Sequence, residues 1–167
     1  EDDCIPVDGL VKFMNSNLAI LKREDVWFIC GRQHIDFPEF RNDQNSGYLS
    51  RYPNLWGWCT TNSKWFEIKT ALNGFGNCND KIKLFDSFRS YWFYGAKRAY
   101  LGHVDVWDTI VTYSMLVGNI KAFIPYTNFI DNIGNDEFAT NFKDISKQNF
   151  LIRGRPDPFH IDKYMTH

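Results

Sequence analysis

The 167-residue chain has no run of lysine or arginine. Its 19 basic residues stand against 20 acidic ones, for a net charge of −1. That excludes the basic stripe with which nucleic-acid-binding proteins neutralise phosphates, so no nucleic acid is expected as a partner. Cysteine is sparse: Cys4, Cys30, Cys59 and Cys78 are far apart and form no C-x-x-C pair. Neither a zinc knuckle nor a dense disulfide scaffold fits that spacing. Reduced thiols in a cytoplasmic protein are the expectation. Histidine is equally scattered, and His34, His103, His160 and His167 match no zinc motif. No apolar run approaches the roughly 20 residues that cross a bilayer, so no transmembrane segment is expected. The chain also lacks an initiator Met and begins directly on a motif, from which a missing upstream segment is expected.

Aromatic residues are abundant instead, with 15 Phe, 8 Tyr and 6 Trp. A chain this long and this aromatic can bury one sizeable core. Most individual Phe and Tyr positions are accounted for by that core. Helical spacing of Val7, Leu10, Val11, Met14, Leu18 and Leu21 predicts a helix over residues 7–22. The apolar run Val26-Trp27-Phe28-Ile29-Cys30, ending at Gly31, predicts a buried strand. Residues 34–47 show no period and are expected to be a loop. A short strand over 55–59 and a helix over 63–72 follow, then a turn-rich connection over 73–80. Ile82, Phe85, Phe88, Trp92, Ala96 and Tyr100 predict a second long helix closed by Gly102. Asp105 stands where an N-cap belongs, ahead of a helix over 107–117 that ends at Gly118-Asn119. Residues 122–125 read as a strand. After Asp144, Arg153-Gly154-Arg155-Pro156-Asp157-Pro158 argues against regular structure. Strands alternating with helices predict an α/β fold in layers.

Four places could carry chemistry. Glu1-Asp2-Asp3 supplies hard oxygen donors suited to Mg²⁺ or Mn²⁺, or else is a solvated terminus. Asp105 and Asp108 are explained by capping, or one of them is an ionised carboxylate at a helix start that serves as a general base. Trp56 and Trp58 flank Gly57. On an extended segment, residues i and i+2 point the same way. The two indoles are then either core or the wall of a sugar pocket, which Gly57 would let the backbone approach closely. Asn128-Phe129-Ile130-Asp131-Asn132-Ile133-Gly134 follows the last strand, where open α/β sheets bind ligands. Turn chemistry explains its Asn and Gly equally well.

Taken in order, Glu1-Asp2-Asp3-Cys4-Ile5-Pro6, Arg51-Tyr52-Pro53-Asn54-Leu55-Trp56-Gly57-Trp58, Asp105-Val106-Trp107-Asp108 and residues 128–134 followed by Ala139-Thr140 make up a resemblance. The chain resembles bacterial family-two-like glycosyltransferases of the hemolytic-protein-like group. That resemblance implies the acceptor-side part of a GT-A nucleotide-diphospho-sugar transferase fold over residues 1–145, with the nucleotide-binding strands upstream and a tail over 146–167. It implies Mn²⁺ or Mg²⁺ held by Glu1, Asp2 and Asp3, with Asp105 as acceptor base and Asp108 as the second candidate. Trp56, Gly57, Trp58 and Asn132 would contact substrate. The expected partners are a nucleotide-sugar donor and a glycan or lipid-linked acceptor, with inversion at the anomeric carbon. The chain departs from the group at Cys59-Thr60-Thr61, where Ala-Thr-Trp is frequent, and at Asn141, where His is frequent. The residues alone also admit a glycoside hydrolase built on a carboxylate pair, or a non-catalytic carbohydrate-binding protein with tryptophans as its platform.

Overall fold

The computed structural model describes residues 4–33, 45–77 and 87–132. Glu1, Asp2, Asp3, Cys78, residues 34–44, the expected helix start at Ile82, Asn141 and the tail lie outside them. The architecture is mixed α/β. Strand β2 (Val26–Cys30) lies at the centre with β5 (Lys121–Pro125) parallel to it, and β3 (Gly47–Ser50) and β4 (Trp58–Cys59) flank this pair antiparallel, in the order β3-β5-β2-β4. A separate two-stranded ribbon joins β1 (Cys4–Pro6) to β6 (Ile130–Asn132), also antiparallel. The helices are α1 (Leu10–Asn17), α2 (Asn62–Gly74), α3 (Ser87–Tyr100) and α4 (Asp108–Gly118).

Every residue of β2 is buried, as its unbroken apolar run dictates. The strand does not alternate strictly. Its pairing with β5 slips between Val26 and Phe28. A one-residue slip reverses which face later side chains meet. Val26 and Ile29 therefore share one core with Phe13, Leu21, Leu49, Phe123 and Phe129, under α1. Phe28 and Cys30 share the other, with Trp27, Ile68, Val111 and Met115, under α2 and α4. A third cluster, Phe75, Phe93, Ala96, Ile110 and Tyr113, holds α3 against α4. Trp27 Nε1 donates to Glu67 Oε2 at 3.1 Å, which ties β2 to α2 through a polar contact.

Several local expectations are met with their chemistry. Thr61 caps α2, its hydroxyl accepting from Lys64 N at 3.3 Å. Gly102, at φ 72°, closes α3, and His103 N donates back to Arg98 O. Asn119 at φ 52° ends α4 in the left-handed conformation. Other elements differ. The first helix is α1 only to Asn17, then a 3₁₀ turn over Leu18–Lys22. Asn17 Nδ2 donates to Phe13 O and to Asn45 O, so its amide competes for the backbone where the α-helix stops. The residues after the acidic triplet form a strand that the sequence did not announce, β1, because Ile5 and Pro6 pair with the distant β6. Within the loop expected after the last strand, residues 130–132 form β6 for the same reason. Only Trp58–Cys59 of the expected strand over 55–59 pairs with β2.

Candidate functional site at the carboxyl ends of the parallel strands

The parallel strands β2 and β5 end at the same edge of the sheet. There the chain leaves β2 through Gly31-Arg32-Gln33 and leaves β5 through residues 126–129. Hydrogen bonds lace these segments together. Phe129 N donates to Gly31 O at 2.8 Å, Gly31 N donates to Gly57 O, and Asn128 Oδ1 accepts from Gln33 N at 2.9 Å. Gly57 has φ +60°, and a Cβ there would fall 2.2 Å from Ile130 Cδ1. A Cβ on Gly31 would fall 2.8 Å from Gly57 O. Both glycines are thus close-approach positions that let three backbones meet at one point.

The ribbon β1–β6 continues from this point. Cys4 pairs with Asn132, Ile5 with Asp131 and Pro6 with Ile130. The residue that follows Asp3 therefore lies opposite the candidate substrate residue Asn132. Two segments at opposite ends of the sequence reading are neighbours by register.

The tryptophans separate. The positive φ of Gly57 breaks the extended segment, so Trp56 and Trp58 do not share a face. Trp56 lies under the Arg32 guanidinium, 4.6 Å from its ring centroid. Trp58 turns toward the protein, with ring centroids 5.2 Å from Phe28, 5.7 Å from Trp65 and 5.8 Å from Trp107. Packing against the core, not a pocket, surrounds Trp58.

Through Trp107 the aromatic cluster reaches the two carboxylates. The cap expected of Asp105 does not form. Trp107 is the N-cap residue of α4, without a side-chain cap, and Asp108 is the first helical residue. Docking of Trp107 against Trp58 fixes where the helix begins. Asp105 is left exposed in the connection from α3, where it lines an open cleft of about 400 Å³ with Ala99, Gly102, Trp107 and Ile110. Asp108 stands at the start of α4. Protein around its carboxyl strips away water and raises its pKa, while the backbone N–H groups of Thr109 and Asp108 oppose the rise. The residue as a whole remains exposed, and solvent weakens the effect.

Among the described residues no three His, Cys, Asp or Glu converge on a metal position. Cys30 and Cys59 are free thiols, and burial pushes Cys30 far above the ordinary thiol range. No helix among the described residues is long and apolar enough to cross a membrane.

No protein-family model, curated protein or solved structure matches this chain.

Arg32 and Gln33 were not among the residues singled out from the sequence, and Asp131 entered only as part of the 128–134 segment, yet all three stand at the strand ends. One signal was present. A charged and an amide residue directly after Gly31 close a fully apolar strand, which is where a parallel sheet presents side chains to ligand.

Proposed function

We propose that the chain carries the metal and acceptor side of a metal-dependent, inverting glycosyltransferase of GT-A type. It would act on a nucleotide-sugar donor and a hydroxyl acceptor. One observation carries the reading. The β1–β6 ribbon brings the residue after Glu1-Asp2-Asp3 opposite Asn132, at the carboxyl ends of the parallel pair β2 and β5. That edge is where open α/β sheets hold nucleotides and their phosphates.

Three successive carboxylates are a donor set of the right chemistry for Mn²⁺ or Mg²⁺, and Glu1, Asp2 and Asp3 would hold the ion. Bound there, it would neutralise charge on the departing diphosphate. The chain's own residues supply the rest. Asp105, exposed in its cleft, would take the proton from an acceptor hydroxyl. Asp108, its carboxyl partly stripped of water, is the second candidate for that step. Trp107, packed on Trp58 and lying between the two acids in the chain, would be a positioning residue. Trp56 stays at the strand ends, on the side of the donor.

The test uses the protein with Asp105→Asn and Asp108→Asn. Asn keeps the shape of Asp but accepts no proton. Loss of the base is expected to lower kcat by about 10²–10⁴ while donor binding and thermal stability hold. Asp105→Asn should carry the larger loss. Full activity in both variants would remove the paired acids from the mechanism.

A further inference from the structure

We infer that Arg32, stacked on Trp56 at the carboxyl end of β2, forms a binding subsite for a ligand oxyanion, either phosphate or carboxylate. The guanidinium carbon sits over the indole, 4.6 Å from the ring centroid. A contact through the indole holds the cation in place without using its N–H groups, which remain able to donate. Among the described residues Arg32 makes no hydrogen bond and no ion pair. It is half-buried, and the loss of water lowers its pKa, opposed by the nearby Asp131 and Cys4. A cation that has given up hydration without gaining an ion pair is set up to receive an anion, and a planar fork suits one that accepts in two places.

The next residue points to a ligand independently. Gln33 is only 8% exposed, and its Oε1 is buried without a hydrogen-bond partner. Its backbone is pinned by Asn128 Oδ1. An unsatisfied acceptor of this kind calls for a donor, such as a ligand hydroxyl. One strand end thus offers donors for an anionic oxygen and an acceptor for a hydroxyl, which is the chemistry of a sugar phosphate or an acidic sugar. The diphosphate source rests on the transferase reading; the carboxylate source does not.

Asp131 makes the assignment testable against a purely structural role. If Arg32 only balances Asp131, removing Asp131 would not strengthen anion binding. If Arg32 receives a ligand anion, Asp131 competes with it. Calorimetry of the 167-residue chain at low salt with a chelator would use inorganic pyrophosphate, glucuronate and neutral glucose. Omitting metal and nucleotide keeps this result separate from the failure of donor binding. Saturable binding of pyrophosphate assigns the site to a diphosphate, and of glucuronate to an acidic sugar, with glucose silent. Arg32→Gln should weaken that binding about tenfold or more, and Arg32→Lys, which keeps the charge without the fork, by about threefold. Asp131→Asn should tighten it. Absence of saturation by either anion would overturn the inference. So would wild-type affinity in a folded Arg32→Gln, or in Arg32→Lys should the glutamine variant not fold.

Discussion

Trp58 and Trp107 meet with ring centroids 5.8 Å apart and planes 57° to one another, and this contact fixes the start of α4 against the edge strand β4. Asp108 follows Trp107 directly, and Asp105 precedes it by two residues. The two carboxylates thus flank, in the chain, an indole that packs on the edge of the core.

Truncation should separate the two tryptophans of the Trp-Gly-Trp segment. Trp58→Ala removes contacts to Phe28, Trp65 and Trp107, and is expected to cost about 3 kcal/mol of stability. Trp56→Ala loses mainly its stacking under Arg32, worth about 0.5–1 kcal/mol at a partly exposed site. Urea unfolding of both variants measures the difference. Equal losses would place Trp56 in the core as well.

Gly57 should resist any side chain. Alanine at φ +60° costs about 1–2 kcal/mol in backbone strain. Overlap with Ile130 Cδ1 and Cγ1, at 2.2 and 2.5 Å from the added Cβ, should cost a further 1–3 kcal/mol or so. Because that overlap is shared, Gly57→Ala combined with Ile130→Ala should be less destabilised than the sum of the single changes. Strict additivity would show that the two residues do not press on one another.

The pH dependence of stability should carry the signature of Asp108. Its folded pKa is raised above the ordinary 3.8, with burial the largest cause. Such a group favours the folded state below its unfolded pKa, and that contribution is lost as pH rises through the raised value. Asp108→Asn escapes the loss. The variant should match the wild type near pH 3 and melt at the same or a slightly higher temperature at pH 7. Melting curves across that range check the sign. A variant that is less stable at pH 7 alone would mean that the charge is favoured at the helix start.

How far the sequence spoke for itself varied with the distance over which each element is decided. β2 was legible because five apolar residues ending at Gly31 need no partner to be read. The ends of α3 and α4 were legible because Gly102 and Gly118-Asn119 encode left-handed closures locally. Strand β3 and the β1–β6 ribbon were not. Gly47–Ser50 is short, and Cys4 finds its partner 128 positions later in Asn132. The same limit acted at the candidate site. Spacing alone sends Trp56 and Trp58 to one face, but the positive φ of Gly57 sends them apart. Asp105 carries an N-cap residue type, yet the tertiary docking of Trp107 moves the helix start to Asp108. The pairing of Arg32 with Trp56 had no local signature at all.

The most direct test of the transferase reading is sugar transfer by the protein, with and without divalent metal. Transfer from a nucleotide sugar to a hydroxyl acceptor is expected in Mn²⁺ or Mg²⁺. It should stop with a chelator, and Asp3→Ala should remove metal-dependent donor binding while the fold is retained. Chelator-resistant cleavage of a glycoside, or unchanged donor affinity in Asp3→Ala, would contradict it.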